Sequence, residues 1–178
     1  MTGTPFESGA RRAIPAVLVY ARAQGRLLMI HRNAGGASGR ADFHEGKWNG
    51  LGGKLEADES PLEGARREFR EEAGLDLPEG AFQALGVIQF PNFKPHKNED
   101  WVVFVFSADL DAAGADPARA RTACGEGTLH WIAAGELLSL NLWEGDRHFI
   151  PHVVERRPFM GTIWYREGRA ERAWIEPL

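Results

Sequence analysis

The stretch from Ser60 to Gly74 constrains the fold of this chain more than any other, because it carries a start signal, an amphipathic repeat and a stop signal in one short span. Ser60 supplies a capping side chain, Pro61 suits the first helical position, Glu63 completes a capping box, and Gly74 follows Ala73 as a terminator. At about 100° per residue, Leu62, Ala65, Phe69 and Ala73 fall on one apolar stripe suited to a core. Glu68, Glu71 and Glu72 flank that stripe. Carboxylates at i, i+3 and i+4 repel one another by about a few tenths of a kcal/mol per pair on an isolated helix, so a cationic neighbour is expected. Arg66, Arg67 and Arg70 offer one answer, an ordinary solvated face. A hard divalent cation is the better one, because Mg²⁺ takes oxygen ligands, with one or two carboxylates completed by water and phosphate. That pattern points to phosphate chemistry.

The neighbouring segments say what this helix packs on. Just before it, Lys47-Trp48-Asn49-Gly50-Leu51-Gly52-Gly53 ends a glycine-rich loop, and its glycines permit backbone shapes closed to other residues. Apolar runs at 16–20 and 27–30, separated by a Gln24-Gly25 turn, predict a hairpin of buried strands. Further strands are expected at 86–90, at 101–106, which is dense in β-branched and aromatic residues, and at 129–132. The segment 112–127 has no period and reads as a surface connection. Residues 136–140 and 146–156 look helical, with Pro151 starting or kinking the second helix. A closing hairpin is expected from 161–165 and 172–176 around Glu167-Gly168. The fold class is α+β, a mixed sheet sandwiched between helices.

Composition limits the partners. A chain of 178 residues with 43% hydrophobic and 26% charged residues is ordinary globular material, and the expectation is a loose terminus over 1–10 and a single domain over 11–178. A net charge of −4 and a pI near 5.9 provide no basic face for polymeric nucleic acid. Cys124 is the lone cysteine, so no internal disulfide forms. No apolar stretch reads as a signal peptide or membrane span, so no membrane partner and a cytoplasmic location are expected. The six histidines lack metal-ligand spacing and receive no role. Oligomeric state is not legible.

Taken together, Gly53-x5-Glu59-x7-Arg67-Glu68-Phe69-x-Glu71-Glu72-x-Gly74-Leu75 resembles the Nudix box throughout; its one soft position is Phe69, where an aliphatic residue is common. The resemblance implies a loop–helix–loop metal site packed on a mixed sheet. Glu68 and Glu72 would be the main metal ligands, Glu71 a further one, and the Gly52 carbonyl would complete the set. Glu59 and Arg67, also of the catalytic motif, would brace the loop against the helix, with Gly53 and Lys54 against the substrate. The implied cofactor is Mg²⁺, with Mn²⁺ as a substitute.

From about Ala13 to Glu176 the chain is also similar to the MutT branch of that family, which hydrolyses oxidised purine nucleoside triphosphates. The segments that carry this are His44-Glu45-Gly46-Lys47-Trp48-Asn49-Gly50, Phe90-Pro91-Asn92-Phe93 and Leu142-Trp143-Glu144-Gly145-Asp146. The resemblance implies that Asn49 and Asp146 read the base edge while Trp143 stacks on the ring, and that Glu126 is an additional carboxylate near the metal. The chemistry agrees, since a flat purine takes an aromatic face, and an amide with a carboxyl offers both donors and acceptors. Each residue also has a plain structural role open to it: Asn49 as a turn former, Trp143 as a core aromatic, Asp146 as a helix cap. Gly145 departs from relatives that carry two adjacent acids here. The implied activity is cleavage of a small nucleotide, best 8-oxo-dGTP, to monophosphate and pyrophosphate, which would sanitise the nucleotide pool and so serve DNA repair. ADP-ribose, kept open by Pro91 although the surrounding Phe-Pro-Asn-Phe fits the MutT branch equally well, or a dinucleoside polyphosphate is the alternative substrate. A non-catalytic nucleotide sensor is the alternative of another class, and intact Glu68, Glu71 and Glu72 argue against it.

Overall fold

The computed structural model describes residues 11–33, 46–166 and 169–178. The expected loose terminus, His44, Glu45 and the Glu167-Gly168 turn lie outside the described residues. The first hairpin forms as read: β1 (Arg12–Ala23) and β2 (Arg26–Arg32) meet at Arg22↔Leu27, and Gln24 and Gly25 both take positive φ, 52° and 74°. That pair of dihedrals is the tight hairpin turn whose twist matches the flanking strands. β3 (Trp48–Asn49) pairs with β2. The helix α1 (Pro61–Ala73) has the full capping box, Ser60 accepting from the Glu63 amide and Glu63 reaching back to Ser60, and ends at left-handed Gly74.

β4 (Phe82–Lys94) and β5 (Glu99–Asp109) are longer than the apolar runs that announced them. β6 (Ala123–Cys124) and β7 (Gly127–Ala133) follow a connection that carries a 3₁₀ turn at Pro117–Arg119. Then come α2 (Asp146–Glu155), β8 (Phe159–Arg166) and β9 (Arg169–Pro177). Among the described residues the order is β6-β7-β2-β1-β5-β4-β8-β9, with β3 beside β2. β1·β5 and β4·β8 are parallel and the other pairs antiparallel, so the sheet is mixed.

Burial explains why the central strands read as unbroken apolar runs rather than as alternation. Val17, Val19 and Ala21 of β1 join Ala65, Phe69 and Ala73 of α1 in one core, whereas Ala16 and Tyr20 join Phe149, Ile150 and Val153 of α2 in another. A strand covered on both faces has no polar side to show. The sheet is thus held between α1 and α2.

One expectation needs correction: the segment expected to be helical at 136–140 is a 3₁₀ helix, Ala134–Ser139. Of the two positions open to Pro151, starting α2 or kinking it from within, the structure has it inside the helix. An interior proline costs about 3 kcal/mol, while full burial of Phe149, Ile150 and Val153 returns about 1.5–3 kcal/mol each. Packing outweighs the missing amide.

Candidate active site

The glycine loop is sewn to β1. Val19 and Leu51 exchange amide–carbonyl bonds of 2.7 and 3.0 Å, the Val17 amide donates to the Gly53 carbonyl at 2.8 Å, and the Leu55 amide donates to Pro15 at 3.1 Å. Gly52 sits at φ 140°, and a Cβ there would stand 2.1 Å from the Val17 carbonyl oxygen, so glycine alone fits. The Gly52 amide, turned toward α1, donates to Glu72 Oε2 at 2.8 Å. A Cβ on Gly53 would lie 2.4 Å from Glu68 Oε1. The two glycines therefore let the loop close on the glutamate edge of α1.

Arg67 ties that junction together. Its Nε and Nη2 donate to the two oxygens of Glu59 at 2.6 and 2.9 Å, Nη2 also donates to the Lys54 carbonyl at 3.0 Å, and Nη1 donates to Glu68 Oε1 at 2.9 Å. Glu59 Oε2 further accepts the Glu56 amide. The guanidinium hydrogen bonds hold Glu59 below the usual carboxylate range. Arg67 and Glu59 thus connect the loop, through the Lys54 carbonyl and the Glu56 amide, to α1.

The three helix carboxylates part company. Glu72 is buried under the loop, and burial, opposed by the Gly52 amide and reinforced by the charge of Glu68, pushes its pKa up to about 7. Glu68 lines the cleft and is likewise raised, chiefly by burial and against Arg67. Glu71 turns outward, its side chain 55% exposed and 3.5 Å from Arg67 Nη1. Its backbone carbonyl accepts Arg121 Nη1 at 2.7 Å. Glu126 lines the same cleft and pairs with Arg32.

Among the described residues no group of three or more His, Cys, Asp or Glu side chains is arranged to hold a metal ion. The donors nevertheless suit one. They are hard anionic oxygens, and burial, the chief cause of the upward shifts of Glu68 and Glu72 with neighbouring carboxylates adding a smaller part, disfavours charged forms that a bound cation would stabilise. Mg²⁺ is commonly held by one or two carboxylates with water and substrate phosphate.

The same cleft, about 570 Å³, is lined by Glu68, Glu126, Gly52, Gly53 and Lys54 and also by Asn49, Trp143 and Asp146. Asn49 Oδ1 accepts the Gly50 amide at 2.9 Å. Trp143 is 9% exposed and lies 5.3 Å from Lys47 Nζ, which also donates to Asn141 Oδ1 and the Leu142 carbonyl. Asp146 is 5% exposed, and its Oδ2 has no hydrogen-bond partner among the described residues. Burial, opposed by Lys47, pushes its pKa up to about 7. Asp146 is the first residue of α2 rather than its cap, and Gly145 at the cap position supplies no side-chain bond. The Tyr20 hydroxyl of β1 is fully buried, and burial together with the charge of Asp146 raises its pKa well above the usual tyrosine value, against the Gly50 backbone.

Sequence reasoning missed Arg32 and Tyr165, both of which line the cleft. Arg32 is the last residue of β2, and Tyr165 stands two residues beyond buried Ile163 on β8. That alternation was the available signal for Tyr165. Which cleft it faced was not, because β8 reaches the site only through its parallel pairing with β4.

A mixed sheet between two helices, with a capped glutamate helix locked under a glycine loop, defines a loop–helix–loop phosphohydrolase domain. The NUDIX domain family matches residues 10–153, and the chain belongs to it. It is 28% identical over 126 residues to an oxidized purine nucleoside triphosphate hydrolase of Mus musculus, covering 70% of this chain and 74% of that one. The corresponding hydrolase of Danio rerio is 28% identical over 152 residues, 84% of this chain and 85% of the relative. In fold, a MutT protein structure from Bacillus halodurans is similar at TM-score 0.73 and 23% identity, covering 92% and 97% of the two chains. Nudix hydrolases act on small nucleotides and generally use divalent cations. Among the described residues no helix is long and apolar enough to cross a membrane.

Proposed function

We propose that this single domain, residues 11–178, is a purine nucleoside triphosphate pyrophosphohydrolase that uses Mg²⁺, or Mn²⁺ in its stead, and releases monophosphate and pyrophosphate. The observation that carries the reading is Asp146: a buried carboxyl lining the same cleft as Glu68, with an oxygen that has no partner among the described residues. A buried polar atom without a partner costs about 1–3 kcal/mol, which a ligand's polar edge removes. ADP-ribose and the diadenosine polyphosphates share the pyrophosphate and also carry a purine, so the substrate panel is what separates them from a triphosphate.

Glu68 and Glu72 would hold the ion, with Glu71, the Gly52 carbonyl and Glu126 as further oxygen donors. When bound, the ion polarises phosphoryl oxygens and makes water a better nucleophile. Glu59 and Arg67 keep loop and helix in register. Lys54 and Arg32 offer positive charge to the polyphosphate, and Gly53 lets it approach the backbone. Trp143 stacks on the purine. Asn49 Nδ2, whose companion oxygen is taken by Gly50, donates to the base. Asp146 holds or releases a proton at Oδ2 near neutral pH and so matches either a donor or an acceptor on the ring.

8-oxo-dGTP leads among the substrates, with removal of damaged nucleotides from the cytoplasmic pool as the role that follows. The test is kcat/KM for 8-oxo-dGTP, dGTP, dATP, ADP-ribose and diadenosine tetraphosphate at one Mg²⁺ concentration, with products separated by chromatography. A purine triphosphate should come first and yield pyrophosphate. A clear lead for ADP-ribose or the dinucleotide overturns the substrate reading.

A further inference from the structure

The base end of the cleft contains a pair of residues whose geometry is mutually exclusive. The Gly145 amide donates to the Tyr165 hydroxyl at 2.9 Å. A Cβ built on Gly145 would stand 2.5 Å from that same hydroxyl oxygen and 3.1 Å from Cε2 of the ring. The space that a side chain at 145 would use is thus filled by a phenol arriving from β8. The ring is held from other sides, with Phe90 at 6.2 Å and Phe93 at 5.8 Å between centroids. Burial and the nearby Asp146 charge both raise the Tyr165 pKa, so the hydroxyl keeps its proton.

Hydrogen-bond valence then decides what this group offers a ligand. Tyr165 oxygen already accepts from Gly145, and among the described residues nothing accepts its proton. Asn49 Oδ1 likewise accepts from Gly50. Both residues line the cleft with an acceptor position already used and a donor unspent, beside a carboxyl that is either donor or acceptor.

We infer that the Tyr165 hydroxyl reads the base by donating to a ring carbonyl oxygen, and so selects 6-oxopurine over 6-aminopurine nucleotides. The inference rests on the purine triphosphate reading. A 6-amino group, itself a donor, meets Tyr165 and Asn49 donor to donor, and a site left with unpaired polar groups discriminates strongly.

The experiment compares kcat/KM for dITP, dGTP and dATP between the wild type and Tyr165→Phe, with melting temperature as the check on folding. The phenyl ring retains the contacts with Phe90 and Phe93. The expected result is a fall of about tenfold for dITP and dGTP, carried by KM, with dATP nearly unchanged. Binding of dIMP and dAMP by calorimetry should show the same narrowing without any turnover. An equal change for all three triphosphates, or none, overturns the role of Tyr165 and leaves the purine reading standing. A wild type that hydrolyses none of the three purines while cleaving ADP-ribose overturns both.

Discussion

At the metal end Gly52, Gly53, Glu59, Arg67, Glu68 and Glu72 come from one short stretch, joined in the cleft by Arg32 of β2 and Glu126 from the turn before β7, whereas the base end draws Asn49, Trp143, Asp146 and Tyr165 from β3, α2 with the loop before it, and β8. The first end is stiffened by charge. Arg67 makes a two-point contact with Glu59, and the loop is bonded to β1 residue by residue. The second end is stiffened by packing, and its polar atoms are left short of partners. One region is pre-set for a constant pyrophosphate. The other is poised for a base that completes it.

Four measurements break or sharpen that contrast, from the largest effect to the smallest. Glu72→Gln and Glu68→Gln should each keep the fold by circular dichroism while lowering turnover by about 10³-fold. Losing an anionic ligand removes several kcal/mol of transition-state stabilisation, and about 1.4 kcal/mol is tenfold. Near-normal turnover in both variants would dissolve the metal end as defined here.

The next effect lies at the base end and depends on pH. Asp146 has its pKa raised from 3.8 to about 7, so the fold favours its protonated form. The associated stability is complete below the ordinary value of 3.8 and is lost as pH rises through about 7, amounting to at most about 4 kcal/mol. Glu72, also raised to about 7, moves in the same direction, so the comparison is made against the wild type. Asp146→Asn should show a smaller drop in melting temperature between pH 5 and pH 8 than the wild type does. An unchanged drop would mean that Asp146 is solvated.

Glu59→Gln should lower activity by about 10–100-fold through loss of the Arg67 brace, affecting every substrate alike. Base-dependent losses in a kinetic panel would contradict the division of labour between the two ends. Asn49→Ala should do the reverse, changing kcat/KM by about tenfold for some bases and little for others. A uniform loss would make Asn49 a turn former after all.

Local order explains which parts were readable. The α1 boundaries, the capping box and the hairpin at Gln24-Gly25 come from interactions between near neighbours, and each formed as the residues indicate. The glutamates were legible because helical spacing fixes their relative directions before any packing occurs. Their fates were not: Glu72, seven residues after Ala65, is at the edge of the buried stripe, whereas Glu71 is a further 100° around and reaches solvent.

By itself, then, the order of residues determined the helix, its charged edge, the glycine loop that covers it and the family to which these belong, since all depend on separations of a few residues. Only the tertiary structure decided that Pro151 is tolerated inside α2, that Asp146 is buried instead of capping its helix, and that Arg32 and Tyr165 share a cleft with Glu68. Those outcomes depend on which strands pair across long separations. Parallel pairing of β4 with β8 brings Tyr165 to Gly145, and no periodicity in either segment encodes that meeting.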